Sequence, residues 1–242
     1  MYDRYRKDYK INGGGRVKIF LCPFAGGTKA SYNILLKYWN NIESMTCDYK
    51  GRDGKTQCKD FKTMVKDCLN QCYKFIEDEK YVIFGHSMGA YVAYEVAYQM
   101  QYIYDNPPVK VFISGEPSPK PEFCIEEFNT DEALMEYLHF MGGTDNRLLS
   151  DAGFLETLLA RLRSDFHLMN SYDSRKKVMK IETDMIWMYG KKDKSFESKT
   201  VEQWSNKITG TFKKELFNGG HFYFYDDPKR TADFIEKNLY LQ

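Results

Sequence analysis

A chain of 242 residues with 43% apolar and 29% charged side chains can bury a sizeable core and has the make-up of an ordinary globular protein. A formal net charge of +1 gives no bulk attraction for nucleic acid or an anionic membrane, and no apolar stretch approaches a membrane span, so neither is expected as a partner. The amino-terminal MYDRYRKDYK lacks the apolar centre of a signal peptide, which makes a cytoplasmic location the expectation.

Residues 17–22 read as a short apolar strand running into Pro23-Phe24-Ala25-Gly26-Gly27, where glycines let backbone amides face a ligand. Ser31 is placed as the N-cap of a helix over 32–39, and residues 45–49 as a second strand. Apolar residues from Phe61 to Ile76 recur with helical period and predict an amphipathic helix. Cys68 and Cys72 lie one turn apart on it and read as core. With Cys22, Cys47, Cys58 and Cys124 they form no C-x-x-C pair, so all six are taken as free thiols, and no metal or cofactor is expected.

The stretch 81–101, YVIFGHSMGAYVAYEVAYQMQ, reads as buried strand, abrupt turn and helix. Gly85-His86-Ser87-Met88-Gly89 matches the G-x-S-x-G nucleophile elbow, in which a serine sits on a strained strand-to-helix turn. Side chains at 85 and 89 would collide across that turn. Ala90, Ala93 and Ala97 let the following helix lie close to a sheet. Such an elbow needs two backbone N–H donors for the developing oxyanion; Met88 supplies one, and Ala25, with Phe24 as neighbour, is placed as the other.

Residues 109–114 form the next strand. From about 116 to 172 no core strand is legible; helical patterns near 131–140 and 154–169 suggest a lid inserted on the carboxyl-end side of the sheet. Strand character returns at 185–189, just before Asp193, and at 212–216, before Asn218-Gly219-Gly220-His221. Asp227-Pro228 opens the last helix. Strands alternating with helices imply a mostly parallel sheet. Asp184 and Glu182 precede their strand and fall at the wrong edge to serve as the acid. Among the four histidines, His86 lies inside the elbow, His139 and His167 fall in the insertion, and His221 alone follows a late strand on a glycine-rich loop. Ser87, Asp193 and His221 thus stand in the order of an α/β-hydrolase triad, and the whole chain, 1–242, is read as one such domain.

CPFAGG at 22–27, FGHSMGA at 84–90, LRSDFHLMNSYD at 162–173, YGKKD at 189–193 and GGHFYF at 219–224 together resemble the stand-alone type II thioesterases that accompany nonribosomal peptide and polyketide synthetases. The resemblance implies hydrolysis of acyl groups from the phosphopantetheine thiol of carrier proteins, which clears misprimed or stalled chains. One departure is plain: Lys50-Gly51-Arg52-Asp53-Gly54 stands where the family often has a Pro-Gly-His/Arg-Gly turn. Lys29, Arg52, Lys55, Lys191, Lys192 and Lys194 are placed near the mouth of the site, where they would steer an acidic carrier protein. The motifs alone leave open a general acyl-CoA thioesterase or carboxylesterase, a free-standing chain-terminating cyclase, and a non-catalytic hydrolase-fold binding protein.

Overall fold

The structure, a computed structural model, describes residues 17–40, 42–52, 58–117, 128, 130–172, 180–195 and 198–239. The amino-terminal ten residues, Asp53, Gly54, Lys55 and Cys124 lie outside the described residues. Strands β1 (Lys18–Cys22), β2 (Ser44–Thr46), β3 (Tyr81–His86), β4 (Lys110–Ser114), β5 (Asp184–Gly190) and β6 (Phe212–Phe217) form one sheet in the order β2-β1-β3-β4-β5-β6. Every adjacent pair is parallel, as expected of strands joined by helical crossovers.

Strands β1, β3 and β4 are buried throughout because both faces are covered, and their side chains divide by alternation. Phe20, Ile83, Val111, Ile113, Met185 and Trp187 join the core that contains α2 (Phe61–Ile76) and α3 (Met88–Tyr104). Ile19, Leu21, Val82, Phe84, Phe112 and Ile186 join the opposite core, against α1 (Asn33–Leu36) and α8 (Pro228–Lys237). Helix α2 starts where Asp60 accepts from the Thr63 amide at 2.7 Å and ends at Glu77 in the left-handed conformation; its Cys68 and Cys72 are buried in the core, as expected. Between β4 and β5 the chain builds α4 (Asp131–Met141), the short α5 (Asn146–Leu149) and α6 (Ala152–Asn170). After β6 come α7 (Tyr223–Asp226) and α8, whose start is capped by Asp227 as the sequence suggested.

Two expectations need correction. The helix placed at 32–39 is the single turn of α1, and Ser31 does not cap it; its hydroxyl accepts instead from the Thr28 amide, tightening the preceding turn. The second strand stops at Thr46 rather than 49, because Asp48 exchanges its backbone bonds with the side chain of Gln71 on α2. The sequence reading also contained neither α5, a helix of only four residues, nor the 3₁₀ helix Ser198–Lys207.

Gly85 and Gly89 show why the elbow tolerates no other residue. A Cβ at Gly85 would overlap the backbone of Gly89, and one at Gly89 would overlap the carbonyls of Cys22 and Pro23 after β1. Gly85→Ala is therefore expected to cost about 3 kcal/mol or more of folding stability. Gly153→Ala in α6, where the new methyl meets nothing closer than 3.6 Å, is expected to be neutral or to stabilise by up to about 1 kcal/mol. Urea denaturation of both variants checks the contrast.

Candidate active site

The chain passes from β1 outward to β2 and then crosses to β3 on the other side of β1, so the carboxyl ends of β1 and β3 flank a topological switch point. Cys22 pairs with Gly85, which puts the Pro23–Gly27 loop and the elbow at the same level. Ser87 occupies φ 53° and ψ −125°, a conformation that L-residues avoid at a cost of about 1–3 kcal/mol. Its amide donates to the Ser114 carbonyl at the end of β4 at 2.8 Å, and its carbonyl accepts from the Ala90 amide. The serine is thereby held at the amino end of α3.

Asp193 and His221 meet through Oδ2 and Nδ1 at 2.8 Å, both nearly inaccessible to solvent. Their loops are pinned together: the amides of Lys191 and Lys192 donate to the carbonyls of Phe217 and Gly219, and Gly190 packs against the backbone of Gly219 and Gly220. Burial alone would raise the Asp193 carboxyl, but the hydrogen bond and charge of His221 and two bonds from Ser195 outweigh it and hold it below its ordinary value. Ser195 donates to Asp193 Oδ1 through its amide at 2.9 Å and its hydroxyl at 2.6 Å. With Nδ1 engaged, Nε2 of His221 is buried and without a hydrogen-bond partner among the described residues.

Neighbouring groups connect this pair to the serine. The ring of His86, the residue before Ser87, lies 4.6 Å from that of His221, and Gly115 sits against both rings. Tyr137 from α4 reaches the same place: burial and the charges of Glu116 and Asp193 raise its phenol, and the Ser87 side chain acts in the opposite direction. On the other side of the elbow, the amides of Met88, Phe24 and Ala25 make no hydrogen bond among the described residues, whereas that of Gly26 donates to Asp165 at 2.7 Å. Met88 and Ala25 thus both retain an open donor.

His139 and His167 are exposed on the insertion, away from this chemistry, and His86 packs inside, as their positions suggested. Asp184 lies at the far edge, where it accepts from the Thr211 amide. Of the basic residues placed at the mouth, Lys191, Lys192 and Lys194 flank Asp193, all three exposed to solvent, while Lys29 pairs with Asp48 at 2.9 Å. Arg52 requires correction. Its side chain is only 10% exposed and its guanidinium is taken up by Asp165 at 2.6 Å, so it is no free surface steering group. Sequence reasoning missed Ser195, Tyr137 and Asp165; the last had a legible signal, a lone carboxylate on the apolar face formed by Leu158, Leu162, Phe166 and Met169.

Residues 17–239 match the thioesterase domain family. The chain belongs to that family. It is 26% identical over 237 residues to the gramicidin S biosynthesis protein GrsT of Aneurinibacillus migulanus, covering 96% of this chain and 92% of that one. It is 25% identical over 236 residues to the medium-chain S-acyl fatty acid synthase thioesterase of Rattus norvegicus, covering 93% and 88%. Among solved structures, the type II thioesterase BorB from the borrelidin biosynthetic cluster superposes with a TM-score of 0.82 at 21% identity, covering 93% of each chain. Family membership makes the chain a hydrolase of thioester bonds, and the α/β-hydrolase architecture inferred from the order of motifs agrees with the parallel sheet.

His86 carries a testable pH signature. Its Nδ1 bonds to Ser114 Oγ at 2.8 Å, which meets the Tyr223 hydroxyl at 2.7 Å, and its ring is enclosed by Phe24, Phe222, Phe224 and His221. Burial, and then the neighbouring His221, push its pKa well below the ordinary value. The unfolded chain therefore takes up this proton near pH 6.5 while the folded chain refuses it, so stability is full above about pH 6.5 and falls as pH drops. Urea midpoints between about pH 7.5 and about pH 5.5 are expected to fall in the native protein, with a slope approaching about 1.4 kcal/mol per pH unit, and the slope should flatten in His86→Gln.

Proposed function

We propose that this chain is a type II thioesterase that hydrolyses acyl groups from the phosphopantetheine thiol of carrier proteins in a nonribosomal peptide or polyketide pathway. The observation that carries the chemistry is the buried His221, bonded to Asp193 through one nitrogen and unengaged at the other, beside the strained Ser87. The relatives support the pathway: GrsT is named for gramicidin S biosynthesis, and BorB is a type II thioesterase from a biosynthetic cluster.

In this reading Ser87 Oγ attacks the thioester carbonyl as His221 Nε2 takes its proton, and the amides of Met88 and Ala25 hold the oxyanion. Collapse breaks the C–S bond and the thiol leaves with a proton from the imidazolium. A thiol is a good leaving group, so little acid assistance is needed. Water then adds to the acyl-serine, passing its proton to His221, and release of Ser87 frees the carboxylic acid. Asp193 fixes the ring and offsets its transient charge. No cofactor or metal enters these steps; phosphopantetheine belongs to the substrate.

The helices between β4 and β5 act as the lid over the acyl site, with Tyr137 as a lid residue that reaches Ser87. Lys191, Lys192 and Lys194 would face an acidic carrier protein. A cytoplasmic setting fits the five described cysteines, all free thiols. None of the described helices is long and apolar enough to cross a membrane. Similarity to the rat medium-chain enzyme favours one second reading, a thioesterase for fatty acyl groups.

Hydrolysis of one acetyl group presented on a carrier protein, on coenzyme A and as a simple oxyester separates these readings. The carrier protein is expected to give the highest kcat/KM, with Ser87→Ala inactive on all three and its stability changed by no more than about 0.5 kcal/mol. Asp193→Asn should lower kcat by about 10⁴-fold through the wrong imidazole tautomer. Equal rates on carrier and coenzyme A would point to a general acyl-CoA thioesterase, and a medium-chain fatty acyl group hydrolysed with a much higher kcat/KM than acetyl would favour the second reading.

A further inference from the structure

We propose that Asp165 and Arg52 are positioning residues for the oxyanion site: seating of α6 completes the Pro23–Gly27 loop by supplying the acceptor for the Gly26 amide. The inference rests on the reading of Ser87 as nucleophile and Ala25 as an oxyanion donor.

The loop PFAGG has no polar side chain of its own with which to fix its peptide planes. One turn bond runs inside it, from the Gly27 amide to the Phe24 carbonyl at 2.9 Å. The remaining anchors come from outside. The Tyr49 hydroxyl donates to the Pro23 carbonyl at 2.8 Å, and Asp165 Oδ2 accepts from the Gly26 amide at 2.7 Å. Arg52 links the two, with Nη2 2.6 Å from that same Asp165 oxygen and its guanidinium over the Tyr49 ring at 5.2 Å. Arg161 of α6 closes the set by donating to the Arg52 carbonyl.

Gly26 has φ +76°, and a Cβ there would lie 2.9 Å from Leu158 Cδ1 and 3.2 Å from Leu162 Cδ2. No side chain therefore separates the loop from α6. Fixing the Ala25–Gly26 peptide holds Cα of Ala25, and with it the neighbouring plane whose N–H must point at the oxyanion. Asp165 is 2% exposed at its side chain, and a carboxylate buried so deeply is tolerated only with compensating partners. Burial pushes its carboxyl up, while Arg52, the Gly26 amide and Arg161 act against that. Pairing with Arg52 also cancels a negative charge that would otherwise oppose the developing oxyanion. The pair thus supplies a strong acceptor without a net charge.

Two double variants isolate the acceptor from the ion pair. Arg52→Met with Asp165→Asn removes both charges and keeps an oxygen for Gly26; Arg52→Met with Asp165→Leu removes that oxygen as well. The Asn form is expected to keep kcat within about threefold of native. The Leu form should lose about 10²-fold in kcat with KM little changed, on the scale of a misplaced oxyanion donor. It should lose affinity in parallel for a trifluoromethyl ketone analogue, whose hemiketal oxyanion occupies the hole, but not for a non-hydrolysable acyl-pantetheine ether. Urea denaturation gives the folded fraction, and if the Leu form fails to fold, Arg52→Met with Asp165→Ala, which also removes the oxygen, is read by the same pair of ligands with the same expectation.

Equal loss of affinity for both ligands, or equal kcat in the two double variants, would overturn the positioning role. Labelling by a fluorophosphonate keeps this apart from the underlying reading. Native protein labelled at Ser87 alongside unaffected Leu variants sinks only the positioning proposal, whereas no Ser87-dependent labelling sinks the nucleophile itself.

Discussion

The left-handed backbone of Ser87 is the constraint on which the site is built. A non-glycine residue at φ 53° persists only if its surroundings leave no alternative, and here they do. The amide is tied to β4 through Ser114, the carbonyl is tied into α3, and the two flanking glycines let backbone approach backbone where any side chain would overlap. The same close approach brings the first turn of α3 against the carbonyls of Cys22 and Pro23. Strand β1, its loop and Ser87 are consequently held together, and the amides of Phe24, Ala25 and Met88 are left open among the described residues.

Buried polar groups around that unit fall into three kinds, each solved differently. Asp193 and His221 share a hydrogen bond that keeps the carboxyl ionised and orients the ring. His86 is kept neutral by burial among aromatic rings, so it places no positive charge beside the His221 ring 4.6 Å away. Asp165 and Arg52 neutralise one another behind the Pro23–Gly27 loop. The outcome is a site in which the imidazolium of His221 and the oxyanion would be the new charges formed during reaction, in surroundings with little water to screen them.

Much of this was legible from local pattern. The elbow, the strand before it and the small-residue helix after it are written in consecutive residues, and Asp193 and His221 each follow an apolar strand at a turn. The strand-then-helix rhythm sufficed for a parallel sheet. What was not legible depends on contacts distant in sequence. The second strand ends early because Gln71 takes over its bonds, and nothing in residues 45–49 announces that. Arg52 looked like a surface cation because its partner lies 113 residues away, the lone carboxylate on the apolar face of α6. Ser195 was overlooked since a serine two residues beyond an acid is common in any turn.

The most direct measurement is rapid-quench peptide mapping during hydrolysis of an acyl-carrier thioester. The account predicts a transient acyl group on the peptide containing Ser87, formed and lost at rates consistent with turnover and absent in Ser87→Ala. Acyl transfer to another residue, or turnover by the native protein with no acyl-serine trapped at any time point, would contradict it.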